Sequence, residues 1–158
     1  MSALAGPRVA GAVPRDPDGR GGWFWQPAAE RMDVEELRKT QLARLRATLQ
    51  HARDHVPFYR RKMDEAGIAA GDIHCHGDAQ DLPFTTKIDL RDHYPFGMFA
   101  VPRDQILRVH ASSGTTGNPT VVGYVREDIE LWKDLIARTL AAGGIGPGDL
   151  IQNAYGYG

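Results

Sequence analysis

Apolar residues recur at helical spacing from position 33 onward. Leu37, Leu42, Leu45, Leu49, Ala52 and Val56 follow one another on a period near 3.6, and Asp33 with Glu36 three residues on reads as an N-terminal cap. This predicts a helix of about five turns closed by Pro57. Pro57 suits the first turn of a second helix, FYRRKMDEA, which Gly67 ends. Arg60, Arg61 and Lys62 on that helix are expected to form a solvated basic face. Thr86 caps a further short helix running from Lys87 to His93, stopped by Pro95.

The second half alternates differently. QILRVH (105–110) and TVVGYV (120–125) read as strands, and Asp128 to Ala142 as a helix with Ile129, Trp132, Ile136 and Leu140 on one face. DLIQNA (149–154) reads as a third strand leading into Tyr155, Gly156, Tyr157 and Gly158. Strand, loop, strand, helix, strand is an α/β pattern, preceded by a helical lead-in. The expected division is a disordered tail over 1–29, a mainly helical segment over 30–104, and the start of an α/β subdomain over 105–158. The tail is rich in Gly, Pro, Ala and Arg without periodicity. Its aromatic cluster, Trp23, Phe24 and Trp25, is expected to dock on its own chain, or to be merely sticky, in preference to docking on a partner.

Composition narrows the function. The chain has 158 residues, 42% hydrophobic and 25% charged, enough for one soluble domain. Its 19 basic and 20 acidic side chains leave a net charge of −1, so no global field favours nucleic acid or an anionic membrane. The N-terminus lacks a secretory h-region, and no run approaches the roughly 20 apolar residues that span a bilayer. The lone Cys75 excludes an intramolecular disulfide and suits the reducing cytoplasm. His74, Cys75, His76 and Asp78 resemble metal ligands, but no second cluster supplies the remainder of a structural zinc site, so no metal is expected.

The stretch ASSGTTGNPTVVGY (111–124) carries the candidate chemistry. Gly114 and Gly117 permit successive backbone N–H groups to converge on an anion, and Ser112, Ser113, Thr115 and Thr116 add hydroxyl donors. The P-loop signature is absent, because Asn118, Pro119 and a β-run follow Gly117 in place of a lysine and a helix. The loop is therefore expected to be a flap between two strands. An ordinary hairpin connection of Ser, Thr and Gly is the competing reading.

SSGTTGNPT resembles the phosphate-binding signature of the adenylate-forming enzymes, the superfamily of acyl-CoA synthetases. LPFTTKIDLRDHYPFGMFAVP, RVHASSGTTGNPTVVGY and AYGYG, in that order, are similar to the N-terminal part of the phenylacetate-CoA ligases. The resemblance covers about Glu35 to Gly158. It implies that ATP and an aryl acid give an acyl-adenylate and pyrophosphate, and that coenzyme A then displaces AMP. Ser112 to Pro119 would close over the β- and γ-phosphates, with Mg²⁺ neutralising charge. Tyr155, Gly156 and Tyr157 would line the acid pocket, a core strand end being the alternative. Thr86, Lys87, Arg91 and Tyr94 fall in the resembling segment and are assigned to scaffold.

Asn118 departs from the lysine frequent there, which implies a raised KM for ATP. Length departs further: the resemblance places the adenine- and ribose-binding motifs and the catalytic lysine beyond the equivalent of Gly158. The chain is thus expected to be a fragment with no catalytic residue of its own, inactive and poorly stable alone. The resemblance allows a homodimer for the full-length protein. Two other readings stand beside this one: a ligase of the same superfamily for another acid, and a non-enzymatic nucleotide-binding or interaction module.

Overall fold

A computed structural model describes residues 13–14, 23–112, 118–146 and 149–154. Backbone contacts cluster into two units, Asp33–Ile129 and Met1–Met32 with Glu130–Gly158.

The Asp33–Ile129 unit is led by helix α2 (Val34–His55), which follows in sequence the short α1 (Pro27–Glu30) of the other unit. Asp33 is extended and its carboxylate accepts the Glu36 N–H at 3.0 Å, while Glu35 and Glu36 oppose the positive end of the helix dipole. Val56 then breaks the helix because a residue before proline is excluded from helical ψ, and Pro57 opens α3 (Pro57–Ala66). Gly67 ends α3 at φ 66°, where the Ile68 N–H reaches back to Met63 O at 3.0 Å. Only a residue without Cβ occupies that left-handed position cheaply.

The corner between the two helices holds the core. Val56, Phe58, Met63, Ala70 and Ile73 are buried there, and Arg46 donates from Nε to Ile73 O at 2.5 Å. Arg53 pairs with Asp64 across the helices at 2.7 Å. Arg60 and Arg61 are exposed, as expected from sequence, and Lys62 is half-buried, but Arg60 and Lys62 also bind the scaffold. Arg60 donates to the carbonyls of Arg53 and Asp54, at 3.1 and 2.5 Å, satisfying the open C-terminal end of α2. Lys62 donates to Phe84 O at 2.7 Å, bonds Asp89 at 3.3 Å and lies 5.1 Å from the Phe58 ring centroid. Long flexible cations on a short helix reach carbonyls that sequence spacing cannot reveal.

Helix α4 (Lys87–Asp92) has the cap its sequence announces. Thr86 Oγ1 accepts the Asp89 N–H at 3.2 Å, and Asp89 Oδ2 accepts from Thr86 N at 2.7 Å and from Thr86 Oγ1 at 2.8 Å. These donors hold the Asp89 carboxyl below the usual carboxylate range, the Thr86 N–H contributing most and its hydroxyl next; desolvation opposes them, and Lys62 adds smaller attractions.

After a 3₁₀ turn at Arg103–Gln105 the chain forms β3 (Arg108–Ala111) and β4 (Val121–Tyr124), an antiparallel pair with Arg108 opposite Tyr124 and Ala111 opposite Val121. The first strand starts later than expected because Gln105 N–H and Ile106 N–H turn back to Pro102 O and Arg103 O, each at 3.1 Å. Gly123 sits against a ring: a Cβ there would meet Phe99 at 2.7 Å and Ile106 Cδ1 at 3.0 Å. Phe99 in turn packs on Phe96 with ring centroids 5.2 Å apart.

In the other unit, two short strands pair antiparallel, β1 (Val13–Pro14) with β2 (Trp23–Phe24), and α1 (Pro27–Glu30) follows. The segment expected to lack structure therefore carries ordered elements, and the reason is long-range. The Trp25 indole N–H donates to Asp134 Oδ1 at 3.3 Å, and Arg138 donates to Gln26 Oε1 and approaches Glu30 at 4.0 Å. Asp134 and Arg138 lie one turn apart on α5 (Arg126–Ala142), so one helix face receives the aromatic segment. Docking of the aromatic cluster on its own chain is what Trp25 shows.

The expected strand over 149–154 is absent. Asp149 instead closes a turn, accepting Gly146 N–H at 2.6 Å and donating to Gly146 O at 3.2 Å. Leu150 is fully exposed, and no described segment offers these residues a hydrogen-bonding ladder. A strand pattern without a neighbour stays irregular. Among the described residues no helix is long and apolar enough to cross a membrane.

Gly123→Val should lower folding stability by about 1–3 kcal/mol through overpacking against Phe99, read by chemical denaturation. Asp89→Asn should lower the thermal midpoint at neutral pH. The depressed carboxyl stabilises above the ordinary aspartate range and that contribution disappears as pH falls through the folded value, so the wild-type advantage should close as pH falls below the ordinary aspartate range.

Candidate functional site

The glycine- and hydroxyl-rich stretch joins β3 to β4, as the flap reading requires. Its base is clipped by two hydrogen bonds. Ser112 N–H donates to Thr120 O at 3.0 Å, and Thr120 N–H donates to Ser112 Oγ at 2.9 Å. The first continues the ladder one rung past Ala111 and Val121. In the second, a side-chain oxygen stands in for the backbone carbonyl. Ser112 thus places its hydroxyl oxygen at the hinge of the loop, with its own O–H left to donate.

Ser113, Gly114, Thr115, Thr116 and Gly117 lie outside the described residues, as do Tyr155, Gly156 and Tyr157. Asn118 is exposed at the returning end of the loop, beside the half-buried Pro119. The structure therefore brings Ser112, Asn118 and Pro119 to one end of the hairpin. Thr120, which the sequence reading did not single out, holds the loop ends together. Its place immediately before a β-branched run is the only signal that could have marked it.

Electrostatics at this end are simple. Residues 105–126 contain Arg108, Arg126 and His110 and no carboxylate. Arg108 begins β3, about 10 Å of strand away from Ala111. At the loop itself the donors are neutral: backbone N–H groups, hydroxyls and the Asn118 amide. Such a set binds an anion by converging dipoles, and several hydroxyls can follow charge as it shifts between oxygens.

The other candidates resolve into scaffold. Asp78 Oδ2 accepts from His74 N at 2.6 Å and Cys75 N at 2.9 Å, and Oδ1 accepts from Cys75 Sγ at 3.2 Å. The Cys75 and His74 amides, in that order, hold its carboxyl below the usual range. Thr86 and Asp89 form a cap, and Lys87 is exposed. An open hollow of about 270 Å³ between Arg53, Met63, Asp64, Ile68 and Asp72 is lined by no hairpin residue.

Comparison with known proteins bears directly on the hairpin. No family model matches the chain. Phenylacetate-coenzyme A ligase of Thermus thermophilus is 52% identical over 135 residues, 85% of this chain and 30% of the relative. That of Escherichia coli is 54% identical over 129 residues, 82% of this chain and 30% of the relative. The chain thus spans about 30% of the length of the curated relatives it matches. Among solved structures, a 2-hydroxyisobutyryl-CoA ligase in complex with 2-HIB-AMP and CoA shares 39% identity at a TM-score of 0.73, over 80% of this chain and 28% of that one. The same ligase in its postadenylation state with 2-HIB-AMP gives 36% identity and a TM-score of 0.73, over 87% of this chain and 29% of that one. The helical lead-in and the small hairpin therefore match those of the CoA ligases, and over 82–85% of its length this chain is similar in sequence to part of the phenylacetate-coenzyme A ligases.

Proposed function

We propose that this chain supplies the phosphate-clasping loop of an ATP-dependent, AMP-forming aryl-acid CoA ligase, one that converts phenylacetate, ATP and CoA to phenylacetyl-CoA, AMP and diphosphate. The observation that carries the proposal is the clipped hairpin. Ser112 and Thr120 pin the two ends of a loop that contains Gly114, Gly117 and three hydroxyl residues, Ser113, Thr115 and Thr116, and no charge. A pinned base with glycines between is a backbone able to fold over a phosphate and open again, without a Walker lysine.

In this reading the loop orients the β- and γ-phosphates and stabilises the departing pyrophosphate by hydrogen bonds. Ser113 to Gly117 present their amides and hydroxyls, Ser112 sets the hinge, and Asn118 contributes a neutral amide. The loop holds no carboxylate, so it fits a metal only through the nucleotide. Mg²⁺ would be held by phosphate oxygens and would neutralise their charge. Tyr155, Gly156 and Tyr157 line the acid pocket, where aromatic faces suit a phenyl ring. The catalytic lysine belongs to sequence outside this chain, and the working enzyme is a cytoplasmic one acting on small molecules, without nucleic acid or membrane.

The test is phenylacetate-dependent ATP–pyrophosphate exchange by a full-length ligase carrying this segment. Replacing Gly114 and Gly117 together by valine should slow exchange at least about tenfold, equivalent to about 1.4 kcal/mol of lost transition-state stabilisation. Undiminished exchange would overturn the assignment of the loop. In the same enzyme, Asn118→Lys should lower the KM for ATP several-fold, since a charge-assisted hydrogen bond is worth about 1.5–3 kcal/mol. An unaltered KM would show that the position does not touch phosphate.

A further inference from the structure

We propose that His51 and His55, half-buried and exposed respectively on the last turns of α2, form a site for a divalent transition-metal ion of the copper, nickel and zinc class. The two residues are four apart in a continuous helix, so their side chains leave the same face one turn from each other. Their rings have already converged, with centroids 4.3 Å apart and planes inclined at 41°. His55 Nδ1 lies 2.9 Å from the His51 carbonyl oxygen. A carbonyl can only accept, so the proton is on Nδ1 and the lone pair of the neutral ring is on Nε2, away from the backbone. A ring nitrogen fixed to a backbone carbonyl while its opposite nitrogen faces outward is the arrangement that orients imidazole ligands at metal centres.

Imidazole selects nickel, copper and zinc over magnesium and calcium, and affinity should follow copper above nickel and zinc. Among the described residues no three His, Cys, Asp or Glu side chains converge, so the ion would take two protein ligands and complete its shell with water. The spacing is that of the helical His pair in zinc peptidases, but Ala52 stands where those enzymes place a glutamate base. The site therefore binds and does not hydrolyse. Charge nearby is mixed: the Asp54 carboxylate, held by Gln50 at 2.8 Å, lies beside the pair, and the Arg60 guanidinium rests on the Asp54 carbonyl. Because the two rings converge only when α2 is helical, the ion binds the folded chain in preference to the unfolded one and stabilises it.

Ni²⁺ alone is a sufficient probe, added to the whole 158-residue chain. Calorimetric titration should show one ion per chain, and the thermal midpoint should rise with added Ni²⁺. His51→Gln and His55→Gln, each compatible with helix, should each weaken binding at least about tenfold and abolish the rise in midpoint. A triple variant, His74→Asn with Cys75→Ser and His76→Asn, should bind like the wild type. No binding at about 1 mM Ni²⁺, binding that survives either single substitution, or binding lost in the triple variant would each overturn the assignment. Far-UV circular dichroism of every variant separates loss of ligand from loss of helix.

Discussion

A pair of four-residue strands is marginal by itself, and what makes this one a platform is the contact of Gly123 with the Phe99 ring. The ring fills the space a side chain would need, so β4 lies close to the Phe96–Phe99 cluster and brings β3 with it. Every property of the loop beyond Ala111 inherits this placement. The Ser112–Thr120 clip can form only while the two strands hold their register. The loop proposed to clasp phosphate thus rests on strands that depend on an apolar contact several residues away.

Much of the helical half is legible in the sequence, because its signals are local. Asp33, Pro57, Gly67 and Thr86 each act within four residues of themselves, and each sits in the structure at the helix end it announces. The features that escape a sequence reading are those made by distant partners. Lys62 reaches Phe84 and Asp89, more than twenty residues on, and Trp25 reaches Asp134 across 109 positions. The strand read at 149–154 failed for the complementary reason. A period-two pattern states what a segment could pair with and not whether the pairing partner is there.

For the site, residue types and order were legible, and geometry only at the margins of the loop. Hydroxyls and glycines ahead of a β-run pointed to a flap between strands; the flanking strands β3 and β4 are described, and Ser113 to Gly117 lie outside the described residues. That Ser112 serves the hinge, with its oxygen occupied by the Thr120 amide, was not legible, since serine at that position could equally have faced a ligand. Identity above 50% over most of this chain relates it to part of the phenylacetate-coenzyme A ligases of two bacteria.

The docking of Trp25 on α5 has an optical consequence. The chain holds three tryptophans, Trp23, Trp25 and Trp132, and all of them fall in the unit formed by Met1–Met32 and Glu130–Gly158. Indole emission is therefore a private reporter of that unit. A fluorescence melt would follow the detachment of the aromatic segment while the helical corner and the hairpin stayed dark to it, and would coincide with a backbone signal only if the two units come apart together.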